Sequence, residues 1–233
     1  MMRLAPGDLM IKSIKEKICI AIRRPWLIID DFIIRPLTSY KFDNIYNIST
    51  RGEIGHALLN ADDKISLHHA TSYQAVPIEY LNILFNLLRD DSPETHFVDI
   101  GCGKGRACFY ACRKYKQITG IDFSQNLVAD AQKNLKSFTG VIKGKITFEL
   151  RDASLYDLPN EPSLIYLYNP FDEYVLRKFI KRNMNHFLKH KSRIAYVNDV
   201  CHDLLIEYGF TREIRYNARR GISIYSLDQS RFY

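Results

Sequence analysis

The chain predicts an α/β fold built on a largely parallel sheet, and three observations predict it. Residues 97–100 form an apolar run carrying Asp99, followed by glycines at alternate positions, Gly101, Gly103 and Gly105, and then by a helical pattern. A buried strand, a tight glycine turn and a helix start make up the repeating step of such a sheet. Later strand patterns at 117–122, 146–153 and 164–168 also run into polar residues, namely Asp122, Asp152 and Asn169. Their polar ends therefore collect along one sheet edge, where open α/β sheets bind ligands. Finally, strand patterns at 210–216 and 222–227 are joined by only Asn217 to Gly221, a link short enough to favour antiparallel pairing.

The remaining elements follow in order. Ile11, Ile14, Ile18 and Ile22 share one face of a helix over 11–24, opposite Lys12, Lys15 and Glu16, and Pro25 should end it. Residues 42–63 read as a mixed, partly ordered connector. A helix over 77–89 carries Ile78, Leu81, Leu84, Phe85 and Leu88 on one face, and 90–94 is a turn. Helices are expected at 107–115 and 125–136, the second capped by Ser124 or Asp122. After Asn169-Pro170-Phe171 a helix over 173–188 precedes a strand at 193–198, and a short helix over 199–208 stops at Gly209.

A chain of 233 residues holds one full α/β core with an extension. We divide it at 1–70, a helical extension and connector, and 71–233, the ligand-binding domain. No apolar stretch long enough for a signal peptide or a bilayer span interrupts it. Five scattered cysteines form no disulfide framework, which points to the reducing cytoplasm. Cys108 and Cys112 share a helix face, but no second pair stands at zinc spacing, so no metal is expected. The net charge of +7 sits at the two ends of the chain and the middle is balanced, which gives no sign of a basic nucleic-acid channel. Arg219 and Arg220 fall in the last hairpin turn, on the same sheet edge as the glycines, where they could steer an acidic acceptor. Three uses are open to the N-terminal amphipathic helix: packing on the domain, pairing two subunits, or lying on an anionic membrane surface.

The glycine spacing carries chemistry. A nicotinamide or flavin site uses G-x-G-x-x-G to bring a helix start to a pyrophosphate. Here the spacing is G-x-G-x-G, which suits S-adenosylmethionine, an adenosine cofactor without a pyrophosphate. On this reading Asp99, Gly101, Gly103 and Gly105 shape the turn around the methionyl part and ribose. Asp122, about 20 residues beyond the glycine turn, accepts from the ribose hydroxyls. Asp152 and the backbone of Ala153 read the adenine edge, and Phe123 packs on its face. Asn169 and nearby carbonyls could accept from an amine, with Pro170 and Phe171 shielding it. Tyr73 could bond the methionyl carboxylate or the acceptor, or be a packed aromatic.

Together VDIGCGKGR, GIDFS, RDA and YNPF resemble, in order and spacing, the motifs of class I S-adenosylmethionine-dependent methyltransferases. The likeness is nearest to bacterial proteins related to the non-SET histone lysine methyltransferases, and the TSYQAVP segment resembles their tyrosine-containing loop. The resemblance implies a Rossmann-like seven-stranded sheet whose last strand inserts antiparallel. It also implies N-methylation, with a protein lysine favoured because a single proline follows Asn169 where base and amide methylases carry two. Small-molecule or nucleic-acid acceptors, and a non-catalytic cofactor-binding module, are the alternatives.

Overall fold

The computed structural model describes residues 35–55, 58–59, 64–216, 221–228 and 230. The N-terminal amphipathic helix and the turn holding Arg219 and Arg220 lie outside the described residues, and so do the uses expected of them.

The helices and strands are α1 (Arg35–Tyr46), β1 (Glu53–Ile54), α2 (Lys64–His69), β2 (Tyr73–Gln74), α3 (Ile78–Leu87), β3 (His96–Ile100), α4 (Arg106–Ala111), β4 (Gln117–Asp122), α5 (Gln125–Ser137), β5 (Lys145–Leu150), β6 (Ser163–Tyr168), α6 (Glu173–Lys189), β7 (Arg193–Val197), α7 (His202–Glu207), β8 (Phe210–Tyr216) and β9 (Ile222–Leu227). Seven strands form one sheet in the order β5-β4-β3-β6-β7-β9-β8. The five strands from β5 to β7 are mutually parallel, and β9 runs antiparallel to both β7 and β8. This is the Rossmann-like arrangement the sequence predicts, with the last strand inserted antiparallel.

The central strands are apolar on both sides because both sheet faces are covered. Phe97, Tyr166 and Ile118 pack with Leu81 and Leu84 of α3 on one face. Val98, Ile165 and Ile194 pack with Phe179 and Ile180 of α6 on the other. Helix α4 stops at Ala111, short of the expected residue 115. The chain must bend there, because Tyr115 is fully buried and stacked on Phe97.

The segment read as a partly ordered connector, 42–63, begins inside the well-formed helix α1, whose Phe42 belongs to the same core as α3 and α4. Its anchor is polar. Buried Asp43 accepts from the Thr50 N–H at 2.8 Å, the Thr50 hydroxyl at 2.7 Å and the Arg51 N–H at 3.1 Å. Such a carboxylate fixes the chain after α1 as firmly as an apolar contact would.

Candidate functional site

Three neighbouring strands end in the same unusual way. β3 runs into Gly101 (φ 81°), β6 into Asn169 (φ 44°) and β7 into Asn198 (φ 60°). The register pairs Ile100 with Leu167 and Tyr168 with Val197, so Asn169 and Asn198 stand level on one edge and Gly101 lies one residue short of them. A cavity of about 350 Å³ opens there. Its wall brings together Tyr73, Asp99, Gly101, Asp122, Phe123, Asp152, Ala153, Asn169, Pro170 and Phe171 from the sequence-derived set. Gly103 and Gly105 are absent from that wall, because protein side chains lie against them. A Cβ on Gly103 would fall 2.2 Å from the Tyr73 ring, and one on Gly105 2.6 Å from Phe148. A Cβ on Gly101 would meet Pro170 at 2.4 Å. The glycines are thus demanded by packing within the protein as well as by positive φ.

Asp122 holds the glycine turn from β4. Its carboxylate accepts the Gly103 N–H and the Ser124 N–H, both at 2.9 Å. Ser124 does not cap α5 through its own side chain, which instead bonds Asn126. Neither residue expected to cap α5 does so through its side chain: Asp122 bonds the Ser124 N–H just ahead of the helix, and the Leu127 N–H in its first turn bonds the Asn126 side chain at 3.1 Å. Each oxygen keeps lone-pair capacity for a further donor. Burial pushes Asp122 up to about 6, against the three backbone N–H groups that favour its charge. Asp99, also buried, is pushed up to about 7 by burial, opposed by the Cys108 thiol hydrogen bond and reinforced by the Asp122 charge. Asp152 lies beyond β5, and not at its end as expected, because β5 stops at Leu150. It caps a short 3-10 turn by accepting the Ser154 N–H at 2.6 Å.

Arg106, which sequence reasoning passed over, lines the same cavity and is almost wholly buried. Its guanidinium donates to the Thr50 hydroxyl at 2.7 Å, the Val76 carbonyl at 2.9 Å and the Ser39 hydroxyl at 3.0 Å, with Asp43 at 3.7 Å. Burial lowers its pKa, and Asp43 opposes that shift. The readable signal was an arginine directly behind a glycine turn, at a position that enters the core.

The other half of the wall is built from two chain segments laid together. Ala70 bridges Phe171 antiparallel, the Asp172 N–H bonds the His69 carbonyl at 3.0 Å, and the Thr71 N–H bonds the Pro170 carbonyl at 3.1 Å. The Thr71 hydroxyl donates to the Asn169 carbonyl at 2.8 Å and the Pro170 carbonyl at 3.2 Å. Outside, His69 pairs with Asp172 at 2.6 Å and stacks on Tyr174. The Tyr73 hydroxyl donates to the Thr50 carbonyl at 2.6 Å, so its proton is already engaged and its ring seals Gly103. Burial raises its pKa. Among the described residues no group of three or more His, Cys, Asp or Glu side chains could hold a metal ion.

Residues 97–191 match the family model described as a methyltransferase domain. No curated protein matches the chain significantly. Among solved structures, magnesium protoporphyrin IX methyltransferase (ChlM) from Synechocystis PCC 6803, with bound SAM, matches at 13% identity. That match covers 85% of this chain and 97% of that one, with a TM-score of 0.52. The N-methyltransferase NodS from Bradyrhizobium japonicum WM9 matches at 15% identity over 64% of this chain and 95% of its own, with a TM-score of 0.50. A predicted N6-adenine-specific DNA methylase from Listeria monocytogenes str. 4b F2365 matches at 14% identity over 65% and 51% of the two chains, with a TM-score of 0.52. At these identities the likeness shows the fold. The matched segment, from the strand before the glycine turn to just past the end of α6, is a methyltransferase domain, and the sheet around it has the Rossmann-like order of the methyltransferase fold.

Proposed function

We propose that this methyltransferase methylates an aliphatic amine, a protein lysine in the first instance, at the Asn169 end of the cavity. The observation that carries the reading is the position of Asn169-Pro170-Phe171. Pro170 lies against Gly101 of the glycine turn, and Asn169 turns left-handed into the cavity wall. That puts a carboxamide beside the methyl-donor turn, where it can accept from an N–H.

The donor set suits S-adenosylmethionine. Asp99, Asp122 and Asp152 all line the cavity, and the ribose hydroxyls, adenine amine and methionyl ammonium are all hydrogen-bond donors. Asp122 would take the ribose, Phe123, Asp152 and Ala153 the adenine, and Asp99 with the Gly101 turn the methionyl end. When bound, this molecule supplies a methyl group on a positively charged sulfur. The chain's own residues align the acceptor and keep water out, which is most of what an in-line displacement needs.

The kinship to non-SET lysine methyltransferases is part of the same proposal, supported by the motif order and by Tyr73 at the glycine turn. A cytoplasmic site of action is supported by the free, buried Cys102, Cys108, Cys112 and Cys201. Among the described residues no helix is long and apolar enough to cross a membrane.

Tritiated S-adenosylmethionine incubated with the chain and a cell lysate tests the acceptor class. Label on protein, stable to base and recovered as methyl-lysine after hydrolysis, is the expected result. Label confined to nucleic acid or to small molecules overturns the lysine reading.

A further inference from the structure

We propose that Asn198 is a second acceptor-binding residue, forming with Asn169 a paired-carboxamide seat for a primary amine. This deepens the amine reading above and rests on it.

Three observations carry the pairing. Asn169 and Asn198 are the residues directly after Tyr168 and Val197, which pair across β6 and β7, so the two leave adjoining strands at the same level of the sheet edge. Both take positive φ, and both line the cavity. No described residue accepts from or donates to either carboxamide, although the Asn198 N–H and carbonyl and the Asn169 carbonyl are all hydrogen-bonded. On β3 the left-handed residue that follows the strand is Gly101, the residue type that adopts such φ without steric cost. Asparagine tolerates the left-handed region, but glycine would meet the backbone need more cheaply. Two asparagines in this row, with amides that no described residue takes up, supply polar atoms at the acceptor end only.

The backbone at Asn198 is held independently of any ligand. Its N–H bonds the Gly221 carbonyl at 3.0 Å, and its own carbonyl accepts the Val200 N–H at 2.8 Å. Next to it, Asp199 accepts from the Tyr225 hydroxyl at 2.5 Å and from Arg212 at 3.4 Å. The carboxamide is therefore presented from a fixed turn, as a positioned binding group requires.

The pair fits the valence of the proposed acceptor. A neutral primary amine has two N–H bonds and one lone pair. If each carboxamide oxygen accepts one N–H, the lone pair is left to point at the methyl carbon. The incoming ammonium first gives one proton to solvent through the cavity mouth. The nitrogen lone pair then forms the N–C bond, the C–S bond breaks, and its electron pair stays on sulfur. The product carries its positive charge on nitrogen as a secondary ammonium, and its neutral form has a single N–H left for two acceptors. The seat therefore favours monomethylation.

The test uses the full chain loaded with S-adenosylhomocysteine, titrated with n-butylamine and with N,N-dimethylbutylamine, following the asparagine side-chain amide signals by NMR. At neutral pH the first probe offers three N–H bonds and the second only one. Wild type should prefer n-butylamine by about tenfold or more, the usual worth of one hydrogen bond to a charged group. Asn198→Gly removes the amide while leaving the left-handed turn unstrained, and it should erase that preference without changing S-adenosylhomocysteine affinity. If Asn198→Gly keeps the preference and Asn169→Gly erases it, Asn198 has no part in the seat and the amine reading stands without it. If neither amine shifts any signal of the loaded wild-type chain, the amine reading itself fails and takes this proposal with it.

Discussion

The two halves of the cavity solve the same geometric problem differently. On the β3–β4 side the left-handed residues are the glycines Gly101, Gly103 and Gly105, and the polar groups are already engaged: Asp122 holds Gly103 and Ser124, and Asp99 meets Cys108. On the β6–β7 side the left-handed residues are Asn169 and Asn198, with side chains that no described residue takes up. The first half is held by hydrogen bonds within its own sheet edge, with the Tyr73 ring packed against Gly103. The second is held by segment 69–73, which reaches it from far away in sequence. An invariant ligand can be met by a prefixed wall. An acceptor that must arrive, lose a proton and leave is better met by free polar groups on a clamped backbone.

The largest effect should come where the halves touch. Gly101→Ala places a methyl group on a residue at φ 81°, and that methyl falls 2.4 Å from Pro170. Left-handed strain and overpacking each cost about 1–3 kcal/mol, so a loss of about 3 kcal/mol of stability is expected, with cofactor binding lost as well. Chemical denaturation and calorimetry with S-adenosylmethionine would show it. An unchanged midpoint and affinity would mean that Pro170 moves freely, and the halves would then be uncoupled.

A crossed pair of variants comes next. Asp122→Ala should weaken S-adenosylmethionine by about 1.5–3 kcal/mol, the range for hydrogen bonds to a charged group. It also removes the partner of the Gly103 and Ser124 N–H groups, so some thermal stability should go with it. Asn169→Gly keeps the turn and should leave cofactor affinity unchanged while turnover drops at least tenfold. Matching losses of affinity in both variants would place Asn169 in the cofactor half and dissolve the distinction drawn here.

The fold was legible where both sheet faces are covered by apolar side chains. β4, β6, β8 and β9 lie within a residue of their expected bounds, because continuous apolar runs bounded by polar turns leave little choice. Helix α1 was hidden because its anchor is polar and long-range: nothing local in the run around Asp43 announces a bond to Thr50 or nearness to Arg106. For the same reason the buried Arg106 was overlooked. Asp122 and Ser124 are both capping residue types two positions apart, and only the folded turn shows that neither side chain caps α5. Asn198 read as a strand end, since a sequence carries no mark of which terminal residues turn left-handed into a shared cavity.

Smaller and more diagnostic is the pH response of the cofactor half. Burial raises Asp99 from its ordinary 3.8 to about 7 in the folded chain. Between these values the folded chain keeps a proton that the unfolded chain has lost. The stability this gives is complete below about pH 4 and is lost as pH rises through about 7. A positively charged methionyl end beside Asp99 reverses the preference and favours the carboxylate. S-adenosylmethionine affinity should therefore tighten as pH rises through about 7, and binding just below it should release protons. Calorimetry in two buffers of different ionisation enthalpy measures that release, and Asp99→Asn should abolish it. Proton uptake on binding would mean that the cation lies elsewhere.

The smallest predicted effect isolates the clamp on the acceptor half. Thr71 holds the Asn169 and Pro170 carbonyls through one hydroxyl and stands at an exposed position, where water can replace it. Thr71→Val keeps the side-chain shape and the Thr71 N–H bond to Pro170, so stability should fall by about 0.5–1 kcal/mol at most. Without the hydroxyl, Asn169 is held less tightly, and a 1 Å drift of a positioning group is enough to slow a displacement reaction. The expected signature is a several-fold fall in kcat with cofactor affinity unchanged, restored by Thr71→Ser, which returns the hydroxyl. A fall in cofactor affinity of the same size would show that segment 69–73 supports both halves alike, and the division between a prefixed wall and a clamped one would have to be given up. A fall that Thr71→Ser does not restore would trace the effect to packing, leaving Asn169 positioned by the β6 turn alone.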